Sequence, residues 1–191
     1  MRLIAITGCI GCGKSTLADL FRQLGYLVYN VDGWTRSLYR NENFCKLILN
    51  NFPEVNEKGK INKKFLRKIV FDDANKLKKL EKIVHPLLKQ QLRKVIAKNS
   101  KFDELVFIDA ALIYELEWDK YCDLVIVADV DCDIQKQRVM KRDGISAEDF
   151  EKIVTLQMSN DEKVCRGDVV INTNKNLRRL KIELFKMFKD L

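Results

Sequence analysis

The sequence predicts an α/β fold of three layers, with helices on both faces of a five-stranded parallel sheet. Three observations lead to this fold class. A glycine-rich stretch at 8–16 follows an apolar run directly and opens a helical segment. Short apolar runs alternate with longer segments of helical periodicity. The run 123–128 is almost continuously apolar, which is typical of strands buried on both faces. The predicted strands are 3–7, 26–31, 105–108, 123–128 and 169–171.

The stretch GCIGCGKST at 8–16 fits the phosphate-binding pattern GxxxxGK[ST] without a mismatch. Glycines allow the backbone to curl so that successive N–H groups face a phosphate cluster. Lys14 then reaches the β- and γ-phosphates of ATP, and the Ser15 hydroxyl can bind Mg²⁺. The helix that follows adds its N-terminal dipole to the same site. The residues predicted to bind the nucleotide here are Gly8, Gly11, Cys12, Gly13, Lys14, Ser15 and Thr16.

Composition and charge restrict the function classes. Of the 191 residues, 47% are hydrophobic and 32% are charged, as in ordinary globular proteins. A net charge of +8 suits anionic ligands, but the lysines are spread over helical segments, so we expect no nucleic-acid partner. No apolar stretch approaches the ~20 residues that span a bilayer. We therefore expect no membrane association, and we expect a cytoplasmic protein without a signal peptide.

Six cysteines raise the question of disulfides or a metal site. Cys9 and Cys12 form a CxxC, but both lie inside the phosphate loop, and no second pair completes a zinc site. We therefore expect free thiols, as is usual in a reducing compartment.

Asp32 follows the second predicted strand. An acidic residue at the carboxyl end of an early strand points into the ligand crevice of an α/β sheet. There it can orient a hydroxyl nucleophile or contact Mg²⁺ through water. The alternative is an N-cap for a helix over 34–39, and the residues alone do not decide between these. Arg36, one turn further, can face the same crevice and pair with an anion.

The segment between the second and third strands is long. Residues 41–60 are predicted as loop with a short helix, and 61–99 as an all-helical block. This is more than a crossover between parallel strands requires, so we expect an insertion that carries substrate specificity. Pro86 suits the first turn of a new helix. His85, the only histidine, is interpreted as a substrate contact, with a purely structural role as the alternative.

The third and fourth strands complete the nucleotide side. Asp109 follows the apolar run 105–108, which is what a carboxylate that meets Mg²⁺ beside the loop serine requires. Residues 110–115 then form the rim of the crevice.

The remaining part of the chain is predicted to carry a lid. A helix over 131–141 places Arg138 and Arg142 on one face, and Gly144 ends it before a helix that starts at Ser146. Arginines beside such a break suit a lid that closes on phosphate, or they are merely solvated. After the fifth strand comes Asn172, and an amphipathic helix ends the chain.

Seven segments together resemble the dephospho-coenzyme A kinase family along essentially the whole chain. They are TGCIGCGKST at 7–16, VDGWTR at 31–36, HP at 85–86, DAALIYE at 109–115, QKQRVMKRDG at 135–144, LQMS at 156–159 and GDVVIN at 167–172. The resemblance implies a P-loop kinase fold in which ATP phosphorylates the ribose 3′-hydroxyl of dephospho-CoA, the final step of coenzyme A synthesis. It also implies three regions: a nucleotide-binding core at 1–40, 101–135 and 165–191, a helical CoA-binding insertion at about 41–100, and a lid at about 136–164.

The resemblance also assigns roles to single residues. Asp32 matches the family's catalytic carboxylate, Arg142 a lid arginine that faces ATP, and Asn172 a contact near the adenine. The positions associated with the acceptor are Arg36, His85, Tyr114, Glu115 and Gln157. A proline is usual in the family where Ala111 stands, and a second aspartate where Asn30 stands, which weakens the acceptor assignments most. We expect a monomer or a small homo-oligomer.

Two other functions are compatible with parts of the sequence. Another small P-loop kinase would share the phosphate loop and the lid, and would differ in its acceptor. A basic ATPase that binds nucleic acid would account for the charge of +8, but no basic tract or stacking motif supports it.

Overall fold

The computed structural model describes residues 1–101 and 104–189. The chain divides into two compact units. The first, here the core unit, comprises Met1–Asn30 and Asn99–Leu191, and the second, the helical unit, comprises Val31–Lys98. The predicted limits of the insertion and the lid stay predictions.

The strands and helices in chain order are β1 (Arg2–Thr7), α1 (Lys14–Gln23), β2 (Leu27–Asn30), α2 (Val31–Leu38), α3 (Glu42–Asn51), β3 (Asn56–Glu57), β4 (Lys60–Ile61), α4 (Lys63–Asp72), α5 (Ala74–Asn99), β5 (Leu105–Asp109), β6 (Leu124–Asp129), α6 (Cys132–Asp143), α7 (Ala147–Thr155), α8 (Asn160–Arg166), β7 (Val169–Asn172) and α9 (Leu177–Phe188).

The described part of the core unit contains a five-stranded parallel sheet in the order β2-β5-β1-β6-β7. The predicted sheet is thereby confirmed. The register pairs Ile6 of β1 and Asn30 of β2 with Asp109 of β5, so these three residues lie side by side at the carboxyl edge. Ligands of open α/β sheets bind at this edge, where neighbouring connections leave in different directions.

An aromatic cluster beneath the sheet fixes the first and last helices of the core unit. Phe21 of α1 stacks on Phe107 of β5 at 4.3 Å between ring centroids, and Phe188 of α9 meets Phe21 edge-on at 5.1 Å. All three rings are fully buried, and each contributes roughly 1.5–3 kcal/mol of apolar transfer free energy. The amphipathic C-terminal helix that the sequence predicts therefore packs against the helix that begins at the phosphate loop.

The end of β2 differs from the prediction. The strand ends at Asn30 and helix α2 begins at Val31, so Asp32 lies in the first turn of a helix rather than at a strand end or at an N-cap. A carboxylate in the first turn interacts favourably with the helix dipole, so Asp32 stabilises the start of α2.

The helical unit also departs from the prediction in two places. The helix predicted within 41–60 is present but longer than expected: α3 takes up ten of these residues, and Asn41 caps it by accepting the N–H of Phe44 at 3.0 Å. Pro86 does not begin a new helix but lies inside α5, which runs unbroken for 26 residues. Proline removes one helical hydrogen bond. Burial of Leu88, Leu92 and other apolar residues along α5 offsets that loss.

Charge is divided unevenly between the two units. The helical unit holds 17 basic and 7 acidic residues, a net charge of +10. The core unit holds 18 basic and 20 acidic residues, a net charge of −2. The excess positive charge of the chain therefore belongs to the helical unit.

Among the described residues, no helix combines the length and the apolar character that a membrane crossing needs.

Candidate active site

The phosphate loop connects β1 to α1 through two glycines with left-handed backbone. Gly11 has φ 81° and Gly13 has φ 86°. A Cβ on Gly11 would lie 2.5 Å from Cγ2 of Val139, and one on Gly13 would lie 2.7 Å from Oγ1 of Thr173. Both positions therefore require glycine for conformation and for space.

Lys14 and Asp109 meet at the carboxyl edge of the sheet. The Lys14 ammonium donates a hydrogen bond to Oδ1 of Asp109, and Asn30 Nδ2 donates to Oδ2 at 3.0 Å. Both charged side chains are buried. A buried carboxylate needs such partners, because an unpaired one would carry a large desolvation penalty. The structure thus brings together the loop lysine and the predicted magnesium ligand.

Ser15, the other predicted magnesium ligand, is the second residue of α1 and is exposed. Thr16 follows it in the first turn and is partly exposed.

Residues far along the chain hold the loop. Apart from Arg138, which the sequence places with the predicted lid, the sequence patterns did not single them out. Thr173, just after β7, donates its hydroxyl to the Cys12 carbonyl at 2.8 Å, and Arg138 of α6 donates to that hydroxyl at 3.1 Å. Asn160 at the start of α8 accepts the Cys9 N–H at 3.2 Å and donates to Asp129 at 2.6 Å.

Gln157, predicted at the acceptor, also binds the loop: its Oε1 accepts the Ile10 N–H at 3.2 Å.

A buried lysine organises the rim at 110–115. Lys163 of α8 has no solvent exposure, and its Nζ donates to the Ala111 carbonyl at 2.6 Å and pairs with Glu115 at 3.0 Å. Glu115, another predicted acceptor residue, also accepts the Met158 N–H at 2.9 Å. Helix α8 was not predicted, although a capping box of Ser159 and Glu162 marks its start and is visible in the sequence.

Tyr114, a third predicted acceptor residue, is buried. The Arg166 guanidinium lies 4.2 Å from its ring centroid, and burial raises the pKa of its hydroxyl to about 12. Within the described residues that hydroxyl has no hydrogen-bond partner.

The predicted lid arginine, Arg142, and the residue predicted near the adenine, Asn172, lie near the surface. Arg142, in the last turn of α6, pairs with Asp143 through two 2.8 Å hydrogen bonds, and its side chain is 61% exposed. Helix α6 ends at Gly144, as predicted, where the backbone is left-handed, and Ser146 caps α7 by accepting the Asp149 N–H. Asn172 ends β7, and its side chain accepts the Asn174 N–H at 2.9 Å.

The helical unit carries the other predicted site residues. Asp32 and Arg36 stand four residues apart on α2 and therefore share a helix face. His85 lies within α5 and is partly buried. Burial lowers its pKa, while the nearby Glu81 carboxylate opposes that shift. At neutral pH the imidazole is therefore uncharged and can accept or donate a hydrogen bond.

Cys9 and Cys12 are buried free thiols. Burial raises the pKa of both, to about 12 for Cys12, so they are protonated at neutral pH. The described residues contain no group of three histidine, cysteine, aspartate or glutamate side chains that could hold a metal ion. The CxxC is therefore part of the loop's packing.

Comparison with known proteins shows which family the chain resembles. A family model described as dephospho-CoA kinase matches residues 2–179. The dephospho-CoA kinase of Bartonella henselae is 38% identical over 192 residues, covering 100% of this chain and 98% of the relative. That of Aquifex aeolicus is 37% identical over 194 residues with the same coverage.

A crystal structure from Thermus thermophilus superimposes with a TM-score of 0.85 at 30% identity, covering 100% of this chain and 97% of that one. The match extends over the phosphate loop, the helical unit and the rim alike. The chain therefore belongs to the dephospho-CoA kinase family, and it is a kinase that transfers phosphate to dephospho-CoA.

Proposed function

We propose that the chain transfers the γ-phosphoryl group of ATP, bound with Mg²⁺, to the ribose 3′-hydroxyl of dephospho-CoA. The observation that carries the nucleotide part is the loop at 8–16, which ends in helix α1 and holds Lys14 at the carboxyl edge of the sheet. The 3′ position rests on the resemblance in sequence. Dephospho-CoA also has a ribose 2′-hydroxyl, so the choice between the two hydroxyls needs its own test.

The protein's part in phosphoryl transfer is to position groups and to stabilise charge on the phosphoryl oxygens. When ATP binds, the Lys14 ammonium leaves the Asp109 carboxylate and binds the β- and γ-phosphates instead. The loop N–H groups and the N-terminus of α1 stabilise the same oxygens. Arg142 acts from the lid, which we assign to about 136–164. The Arg142 side chain is exposed and pairs with the neighbouring residue Asp143, which is compatible with a side chain that exchanges this carboxylate for phosphate.

The residues present suit a magnesium ion. Mg²⁺ prefers one or two protein oxygen ligands together with substrate phosphates and water. The exposed Ser15 hydroxyl and the Asp109 carboxylate would supply those oxygens. A nucleotide-held ion also agrees with the absence of a three-ligand cluster from the described residues. The bound ion would neutralise charge on the phosphates.

Asp32 is the proposed catalytic carboxylate. It lies two residues along the chain from Asn30, whose side chain binds Asp109. A ribose hydroxyl is a far weaker acid than a carboxylic acid, so Asp32 cannot remove its proton in advance. Asp32 instead aligns the hydroxyl and takes the proton late, as the O–P bond forms.

For the acceptor we propose the helical unit, with its net charge of +10, as the main binding body for the anionic substrate. Arg36 would pair with phosphate, and the neutral His85 would contact the nucleoside part. Tyr114 and Glu115 stay predictions as acceptor contacts, whereas the hydrogen bond from the Ile10 N–H to Gln157 favours a role on the nucleotide side over its predicted contact with the acceptor. Asn172 beside the adenine, the cytoplasmic location, the absence of a nucleic-acid partner, and the monomer or small homo-oligomer also stay predictions.

The test is ADP release with Mg-ATP and a panel of acceptors. We expect turnover with dephospho-CoA and none with AMP, CMP or shikimate. The 2′-deoxy analogue of dephospho-CoA should remain a substrate, whereas the 3′-deoxy analogue should not. The reverse pattern would move the transfer to the 2′-hydroxyl. ATP hydrolysis that depends on DNA or RNA would support the nucleic-acid alternative instead.

A further inference from the structure

The peptide groups of Ile10 are bound from two sides by glutamines of the core unit. The Ile10 N–H donates to Oε1 of Gln157 at 3.2 Å, and Nε2 of Gln135 donates to the Ile10 carbonyl at 2.7 Å. Gln135 is a buried residue of α6, whereas Gln157 follows α7. Helices α6 and α7 are here called the α6–α7 hairpin. The first part of α6 and the segment just after α7 therefore both form hydrogen bonds to one residue of the phosphate loop.

The neighbours of Ile10 are held in the same way. Cys9 donates its N–H to Asn160 at 3.2 Å. On the other side, a Cβ on Gly11 would lie 3.0 Å from the Gln135 carbonyl oxygen. The first half of the loop is thus enclosed between α6 and residues 157–160. It cannot shift by the length of a hydrogen bond without breaking these contacts.

The same face of α6 leads to the lid arginine. Gln135, Arg138 and Arg142 are spaced by three and then four residues, so they lie along one face of the helix. Seven residues correspond to roughly 10 Å along the axis. Arg138 reaches the loop through Thr173, which binds the Cys12 carbonyl. The position of Arg142 is therefore set from the loop by a rigid helix.

We propose that Gln135 and Gln157 are positioning residues that lock the phosphate loop to the α6–α7 hairpin through Ile10. ATP binding on the loop and placement of Arg142 are then coupled through these hydrogen bonds. The proposal rests on the proposed roles of the loop and the lid. It assigns Gln157 to the nucleotide side of the reaction, because its acceptor oxygen is already bound by the loop.

The two hydrogen bonds have opposite polarity, which gives a sharp test. Gln157 accepts, so Gln157→Glu keeps the acceptor. Gln135 donates, so Gln135→Glu places a carboxylate against the Ile10 carbonyl oxygen. Both changes add a negative charge beside the same loop residue, so the difference between them reports the hydrogen bond, and the change at 135 is expected to be the more harmful one.

The experiment measures kcat and the KM values for ATP and dephospho-CoA in the full chain, with ATP affinity measured directly by calorimetry. Gln135→Glu should weaken ATP binding and lower kcat/KM for ATP at least about tenfold. Gln157→Met, which removes the acceptor at similar volume, should cost about 5- to 10-fold, the factor expected for one net hydrogen bond. Gln157→Glu adds the same negative charge beside Ile10 as Gln135→Glu but keeps the acceptor, so it should lose clearly less ATP affinity than Gln135→Glu. The KM for dephospho-CoA should be unchanged in every variant.

Gln137→Glu is the matched control, because Gln137 is exposed two residues further along the same helix. We expect it to behave as wild type. Combining Gln135→Met with Gln157→Met should cost less than the product of the single effects, since both hydrogen bonds hold one residue.

Three results would overturn the proposal. The first is an equal effect of the Gln→Glu change at 135 and 157. The second is a rise in the KM for dephospho-CoA alone in the Gln157→Met variant. That result would show that Gln157 contacts the acceptor and not the nucleotide side. The third is strict multiplicativity of the double variant. If Gln135→Glu does not fold, Gln135→Met replaces it in the comparison. Failure of the wild type itself to bind ATP would refute the proposed function instead, so the two failures are distinguishable.

Discussion

Lys163→Met tests whether a single buried ammonium supports the rim of the site. Methionine keeps an unbranched side chain, one atom shorter than that of lysine, but removes the hydrogen bond to Ala111 and the ion pair with Glu115. The loss of stability depends on which hydrogen bonds Ala111 and Glu115 keep after the substitution. The Ala111 carbonyl still accepts the Thr7 hydroxyl at 3.2 Å, so it keeps one partner.

The largest part of the lost stability comes from the Glu115 carboxylate, which loses its ion pair with Lys163. Its side chain is only 23% exposed, but it keeps the hydrogen bond from the Met158 N–H. A carboxylate left without any partner in a core costs about 3–5 kcal/mol, whereas one neutral hydrogen bond contributes about 1 kcal/mol. We therefore expect Lys163→Met to lower the free energy of unfolding by about 2–3 kcal/mol. For a chain of this size, Tm should fall by roughly 4–12 °C.

The assay is urea unfolding without ligands, followed by circular dichroism, with thermal unfolding as a second measurement. Lys152→Met is the control, since Lys152 is exposed on α7 and its loss should change stability by less than about 0.5 kcal/mol. Adding Glu115→Gln to Lys163→Met should recover part of the loss, because the stranded charge is removed. A Lys163→Met protein as stable as the control would falsify the reasoning, and a double variant with fully additive losses would show that charge isolation is not the cause.

Three further predictions concern catalysis, thiol reactivity and pH. Asp32→Asn and Lys14→Ala should each lower turnover of dephospho-CoA by roughly 10²–10³ or more, measured as ADP release, and normal turnover would remove the role assigned to that residue. At neutral pH, a pKa of about 12 in place of 9.0 lowers the thiolate fraction of Cys12 about a thousandfold. Iodoacetamide should therefore label the exposed Cys132 and Cys165 first by peptide mass spectrometry, and early labelling of Cys12 would contradict its burial. Burial lowers the pKa of His85 from 6.5, so the unfolded chain binds more protons in the interval between the lowered value and 6.5. Stability should be full above about pH 6.5 and fall below it, and His85→Gln should lose less stability between pH 7.5 and 5.5, whereas equal losses would show that His85 does not cause the slope.

The sheet could be predicted because each of its strands is a short apolar run. The carboxyl edge followed from it, since Asp109 comes directly after one such run and the loop after another. The helical unit was harder to predict. Asn41 indicates a turn and an N-cap equally well, so the start of α3 does not follow from it. Pro86 suits the first turn of a helix, but the apolar spacing continues on both sides of it and α5 runs through.

The supports of the phosphate loop could not be predicted from periodicity. Gln135 binds Ile10 across 125 positions of sequence, and Thr173 binds Cys12 across 161. Such pairs leave no local pattern, because each partner only needs to be polar and correctly placed after folding. Lys163 is similar: in the sequence it looks like one more surface lysine, and only its burial shows otherwise. The capping box at Ser159 is the exception, because Ser159 and Glu162 stand three residues apart in the sequence and indicate the start of α8.

The uneven division of charge has a consequence for the kinetics of encounter. Both substrates are anions, but ATP is expected on a unit of net charge −2 and dephospho-CoA on one of +10. Long-range attraction raises association rates and is screened over about 8 Å at physiological ionic strength. Added salt should therefore slow the capture of dephospho-CoA far more than the capture of ATP. The order in which the two substrates arrive would then depend on the ionic strength around the enzyme.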